Sequence, residues 1–335
     1  MIGYYVHHHG RGHLARATSI CAHLREPVTF LSSIDMPDQR HRHTVRLPRD
    51  DRAPTFSDPS ANGTLHWAPV HDSGLRERMG LIAAWVTATR PNVMVVDVSV
   101  EVAMLVRLLG VPVVVMAMPG DRFDAAHDLV YQAADHILAA WPRELYEPSW
   151  LQEHSVKTTY VGGISRFDGR ARTPRSPDRD PNVLVLSGAG GSTLVSEDVK
   201  RCAAAHRQLR WASLGVPGGP WAQDPWPALC TADVVISSAG QSSVADIAAA
   251  GRPAIIIPAG RPFAEQHATA SALERGGTAL VQHRWPALED WPLLIERAQT
   301  FGPEVWERWQ TRGAAARAAA LIEYVAKARC TVATP

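Results

Sequence analysis

Cysteine is scarce: the 335 residues hold four, Cys21, Cys202, Cys230 and Cys330, with no CxxC pair and no Cys/His finger spacing. Neither a disulfide framework nor a structural zinc site is expected, which favours a reducing cytoplasm. An excess of charge of either sign is also missing. With 34 Lys plus Arg against 33 Asp plus Glu, the net charge of +1 gives no polyelectrolyte attraction, so nucleic acid is not the expected partner. No stretch approaches the roughly 18 apolar residues of a membrane span, leaving at most peripheral membrane contact. The opening MIGYYV has neither a basic n-region nor a small-residue cleavage site, so no secretion signal is expected. Only three of the 34 basic residues are lysine, a bias that carries no chemistry. What is present is 46% hydrophobic residues in a length suited to two domains of roughly 100 to 200 residues each.

Short β-branched runs alternate with helical-period segments, the signature of βαβ units and parallel sheets. In the first half the pattern predicts strands at 2–7, 28–33, 93–97, 112–117 and 136–140, and helices near 13–25, 74–90, 100–109 and 122–134. Residues 35–62, rich in Pro, Arg, Asp and His without periodicity, read as an acceptor-side or lid loop. A second series predicts strands at 183–187, 211–214, 233–237, 254–258 and 279–281, with helices near 196–208, 241–250, 264–275 and 286–299. The resulting division is a first domain over 1–150, a connector over 151–181, a second domain over 182–302 and an Ala-rich helical tail over 303–335 that leans back on the first domain.

The first strand runs into HHHGRGHLARA. Gly10, Gly12 and Ala15 fit a dinucleotide fingerprint with Asp35 downstream, but His9 and His13 crowd a turn that normally admits a pyrophosphate. His13 instead projects from the carboxyl edge of the sheet, where an imidazole can accept a proton near neutral pH; the alternative is that it caps a helix turn. Asp97, ending VMVVD, either orients a catalytic histidine or caps the helix near Val100. In the second half, VLVLSGAGGST places Gly188, Gly190 and Gly191 where backbone approaches an anion. Then ADVVISSAGQSSVADIAAAGRPAIIIPAGRPFAEQHATASALERGG, residues 232–277, ends a strand at Gly240 and starts a helix with Gln241, Ser242 and Ser243, a diphosphate site needing no metal. Asp246 lies one turn further in, within reach of ribose hydroxyls, and Glu265 and Gln266 open another helix where an acid and an amide can grip a sugar.

Residues 232–277 resemble the donor-binding segment of GT-B glycosyltransferases, in particular the peptidoglycan lipid-linked GlcNAc transferase group and its relatives in antibiotic and glycolipid glycosylation. GxGHxxRA at 10–17 and YVGGISR at 160–166 extend the resemblance; 35–90 and 285–335 match weakly or not at all. The resemblance implies a GT-B α/β fold, two doubly wound Rossmann-like domains whose parallel sheets face a central cleft. It implies an inverting, metal-independent transfer of a sugar from a UDP-sugar to a hydroxyl acceptor, the nucleotide sugar being a substrate and no cofactor being needed. Gly240, Gln241 and Ser242 then lie near the diphosphate, Asp246 near the ribose, Glu265 and Gln266 at the donor sugar and Trp221 at the base, with packing an alternative for Trp221. Arg11 stands where the family has a small residue, beside Gly12, for acceptor or phosphate contact. The acceptor, a small molecule, natural product or lipid-linked sugar, enters from the first domain. UDP against TDP stays open, as do two rivals: a UDP-sugar hydrolase on the same scaffold and a non-catalytic nucleotide-sugar-binding protein.

Overall fold

Buried β-branched runs form two parallel sheets in the computed structural model, which describes residues 1–8, 11–35, 42–172, 180–188, 194 and 196–328. The first sheet contains β1 (Ile2–Val6), β2 (Val28–Ser32), β3 (Arg42–Arg46), β4 (Val93–Asp97), β5 (Val113–Ala117), β6 (His136–Ala139) and β7 (Thr158–Tyr160), in the order 3-2-1-4-5-6-7. The second contains β8 (Asn182–Leu186), β9 (Arg210–Leu214), β10 (Val234–Ser237), β11 (Ala254–Ile256) and β12 (Leu280–Val281), in the order 12-11-10-8-9. The helices are α1 (Arg11–Cys21), α2 (Ser73–Thr89), α3 (Val100–Leu108), α4 (Ala125–Ala133), α5 (Ser149–Gln152), α6 (Ser196–Ala205), α7 (Trp226–Thr231), α8 (Gln241–Ala250), α9 (Glu265–Arg275), α10 (Trp291–Gln299) and α11 (Ala314–Ala328).

Alternate residues of one strand feed opposite faces, and both faces are covered. Tyr5, Leu31, Met94 and Val96 pack under α2, α3 and α4, while Ile2, Tyr4, Phe30 and Val95 pack under α1 and α11. Strand order reverses between β1 and β4, whose ends Val6 and Asp97 are registered neighbours, and again between β8 and β10, at Leu186 and Ser237. Such reversals leave a crevice at the carboxyl ends of the strands. Helix α1 leaves the first crevice and α8 the second, and their starts meet: Ser242 Oγ donates to the Gly12 carbonyl at 3.3 Å.

Several elements differ from the sequence reading. Within the segment read as an aperiodic loop, β3 pairs with β2 as the sheet's edge strand. Its sequence, RHTVR, carries the charge typical of an exposed edge and so hides its strand period. Strand β7 extends the first sheet to Tyr160, past the boundary set at 150, because a three-residue TTY is too short to register as a pattern. Helix α7 also went unread, and the helix expected over 286–299 opens as a 3-10 turn, Leu288–Asp290, before α10. The tail is not one helix. A 3-10 segment, Pro303–Trp309, stays on the second half, where Trp306 Nε1 donates to Arg252 O. Left-handed Gln310 and Gly313 then turn the chain, and α11 packs on the first sheet.

Candidate active site

Strand β4 delivers Asp97 to the first crevice, fully buried. The next residue, Val98, has φ of 65°, a conformation costly for a β-branched residue and of the kind that collects at functional sites. Ser99 caps α3 by accepting from the Val102 N–H, which removes the helix-cap alternative for Asp97. Its carboxylate faces α1 instead, with His13 Nδ1 at 3.0 Å and Arg16 Nε at 3.1 Å. Burial pushes the Asp97 carboxyl up, but the Arg16 guanidinium and the adjacent His13 outweigh it and hold the group well below the usual carboxylate range. An ionised carboxylate only accepts, so His13 carries a proton on Nδ1, and the tautomer this selects for a neutral ring has its lone pair on Nε2. Arg16 Nη2 also lies 3.1 Å from His13 Nδ1, but two donors cannot bond each other. The ring is therefore held by Asp97 and does not cap the helix.

At the second crevice, Gly240 caps α8 without any side-chain hydrogen bond, so the N–H groups of the first turn have no carbonyl behind them. Among the described residues a Cβ at Gly240 would meet nothing nearer than Gln266 Nε2, at 4.0 Å, and one at Gly188 nothing nearer than Ser243 Oγ, at 3.8 Å. Gly190 and Gly191 lie outside the described residues. Gln266 is buried, its Oε1 accepting from the Ala259 N–H at 2.9 Å, and its amide nitrogen turned toward Gly240. Glu265 starts α9 after two left-handed residues, Phe263 and Ala264, and sits 3.7 Å from Arg122 of the first half. There the loop after β5 docks: Asp121 N–H donates to Phe263 O at 2.7 Å, and only glycine fits at 120, where φ is +104° and a Cβ would meet that same oxygen.

Trp221 is 54% exposed, so it is not a core residue, and the Arg11 guanidinium lies over its ring at 5.8 Å from across the cleft. Asp246, expected near a ribose, is 4% exposed and accepts from Ser165 Oγ at 2.8 Å and Arg166 Nε at 3.1 Å, so its carboxylate is engaged in fastening the 165–166 segment. Burial pushes its carboxyl up to about 6 against the pull of Arg166. Between the unfolded value near 4 and about 6, the folded protein keeps a proton that the unfolded chain releases. Stability should therefore fall as pH rises through this window, by on the order of 2–3 kcal/mol, relative to Asp246→Asn. Denaturant titrations of both proteins at pH 4.5, 5.5, 6.5 and 7.5 measure the difference, and parallel curves would reject this protonation state.

Two side-chain sets among the described residues have metal-ligating composition, His66–Asp124–His127 and His8–Asp50–Asp51. In the first, Arg122 Nη1 lies 3.2 Å from His127 Nε2, which must accept, so Nδ1 carries the proton given to Asp124 and is closed to a cation. In the second, Arg49 and Arg78 already pair with Asp51 and Asp50.

Arg16, unassigned in the sequence reading, is central to the site. The signal was a charge three residues after His13 on the same helix face, a face that is otherwise apolar. Arg122 was also missed, since nothing local marks it, and Ser165 and Arg166, although inside the YVGGISR stretch that carries part of the resemblance, had no role assigned.

The geometry has counterparts. Residues 219–285 match the glycosyltransferase family 28 C-terminal domain. The UDP-N-acetylglucosamine--N-acetylmuramyl-(pentapeptide) pyrophosphoryl-undecaprenol N-acetylglucosamine transferase of Sorangium cellulosum is 29% identical over 218 residues, 56% of this chain and 51% of its own. The protein of the same name from Paraburkholderia phymatum is 26% identical over 230 residues, 58% of each chain. The chain thus spans about half the length of the curated relatives it matches. Two solved structures cover nearly all of it: the glycosyltransferase of kitacinnamycin, with a TM-score of 0.68, 17% identity and coverage of 97% of this chain and 98% of that one, and Acinetobacter baumannii MurG, with 0.61, 15%, 96% and 99%. These likenesses establish the fold, GT-B, with which the two parallel sheets agree, and the chain resembles the MurG-like glycosyltransferases in sequence.

Proposed function

We propose that the protein is an inverting, metal-independent glycosyltransferase that moves a hexose or N-acetylhexosamine from a UDP-sugar to a hydroxyl acceptor. One observation carries this reading: an imidazole backed by a buried carboxylate faces an uncapped helix N-terminus across a single cleft. His13 Nε2 takes the proton of the acceptor hydroxyl, whose oxygen forms a bond to the anomeric carbon while the bond from that carbon to the diphosphate oxygen breaks. The electron pair leaves with UDP, whose new charge meets the N–H groups at Gly240, Gln241 and Ser242. Base and leaving group on opposite sides of the carbon make a single displacement, which inverts it. Because a helix terminus takes the charge, no divalent cation or other cofactor is required.

Glu265 and the Gln266 amide serve the donor sugar, and Trp221 gives the base a flat apolar platform with Arg11 beside it. Gly12 and Arg11 border the side from which a small-molecule, natural-product or lipid-linked acceptor enters. No described helix is long and apolar enough to cross a membrane. The three described cysteines are free and buried, which agrees with a cytoplasmic site, with peripheral contact where the acceptor is a lipid.

The test is Gly240→Val. With φ of −69° and no neighbour among the described residues within reach of a Cβ except Gln266, the variant is expected to fold, while its branches fill the space beside the first-turn N–H groups. Losing two charge-assisted hydrogen bonds should weaken UDP binding by roughly 10²-fold or more. Calorimetry with UDP, alongside transfer from a UDP-sugar in excess EDTA, reads both parts. Unchanged affinity in the variant rejects the diphosphate site, and loss of wild-type turnover in EDTA rejects metal independence.

A further inference from the structure

Arg16 is 5% exposed and joins the two crevices. Its Nε and Nη2 donate to the two Asp97 oxygens, and its Nη1 donates to Gln241 Oε1, on the other half of the molecule, at 2.9 Å. A guanidinium has no acceptor, so it dictates which way the Gln241 amide faces: oxygen toward Arg16, nitrogen away. That nitrogen is buried and has no hydrogen-bond partner among the described residues. A buried donor left unmatched is costly, and here it lies at the first position of α8, beside first-turn backbone N–H groups that have no carbonyl behind them within the helix. With the opposite amide orientation an oxygen would stand there and repel an anion.

We propose that Arg16 is a positioning residue that fixes the Gln241 amide with its N–H groups available to the leaving diphosphate, while the same guanidinium holds the Asp97 that orients His13. It rests on the glycosyl-transfer reading above. Arg16 touches neither substrate; it couples the proton-accepting end of the site to the charge-accepting end, so both are set only when the halves meet.

The experiment is a double-variant cycle on UDP affinity by calorimetry, using Arg16→Lys, Gln241→Leu and the two combined. Lysine leaves a cation for Asp97 but cannot span Asp97 and Gln241 together. Each single variant should weaken UDP by about tenfold or more, the worth of a hydrogen bond to a charged group, and the double variant should be no weaker than the worse single one. Wild-type affinity in either single variant, or losses that multiply in the double, overturns the assignment. If Arg16→Lys does not fold, Gln241→Leu decides alone, since leucine cannot donate: unchanged UDP affinity defeats the proposal and a tenfold loss upholds it. The two failures are distinguishable, because absence of UDP binding by the wild-type protein defeats the glycosyl-transfer reading itself, whereas intact wild-type binding with multiplicative losses defeats only the role of Arg16.

Discussion

His13→Ala is expected to lower kcat by about 10² to 10⁴ while UDP affinity stays near the wild-type value. The split follows from where each job is done. The imidazole is fixed to the first sheet through Asp97, whereas on the proposed reading the diphosphate is taken by the start of α8, in the second half. Removing the ring deletes a proton acceptor that matters in the transition state and leaves the ground-state grip on UDP intact. The ring is also 17% exposed and caps nothing, so the stability cost of its loss is expected to be confined to the hydrogen bond to Asp97, about 1.5–3 kcal/mol, with Arg16 still pairing that carboxylate. Full kcat in the variant would end the base assignment, and a large loss of UDP affinity would move His13 to the phosphate side.

Asp97→Asn should damage both rate and stability. The substitution leaves the guanidinium of Arg16 buried without its counter-charge, which is expected to destabilise the protein by about 3–5 kcal/mol. Separately, an amide can donate to His13 and so favour the tautomer with the proton on Nε2, the nitrogen that must be free to accept. A rate loss of about 10² or more per folded molecule should follow, as large as loss of the base itself. Denaturant unfolding and kcat corrected for the folded fraction separate the effects. A destabilised variant with full corrected kcat would reduce Asp97 to an ion-pair partner.

Much of this was legible in the chain. The apolar runs marked ten of the strands, most of them legible because a strand buried on both faces is hydrophobic throughout, and the small-residue stretch at Gly240 marked the strand-to-helix junction at the start of α8. Where the reading failed, the physics was not local. The charged edge strand β3 is held by hydrogen bonds to β2, which no periodicity records. Asp246 occupies a helix position that looks suited to a ribose, but its partners Ser165 and Arg166 lie some eighty residues away, and only the fold brings them near. Arg16 was visible as a letter in GHxxRA, yet its meaning depends on Asp97, at the end of β4, and on Gln241, at the start of α8 in the other half.

The chain passes between its halves twice, first after β7 and again after Trp309, and the two passages run side by side, with the Gly163 N–H donating to Trp309 O at 3.0 Å. Two adjacent tethers act as a hinge pin. They resist twisting and sliding of one half over the other and permit rotation about one line, as a door turns on its edge. Points far from that line sweep the widest arc for a given angle, while points beside it hardly move. Rotation about that line would change the separation of α1 from α8 as one mechanical coordinate, and on the glycosyl-transfer reading entry of substrate and closure on the diphosphate would be stages of one swing.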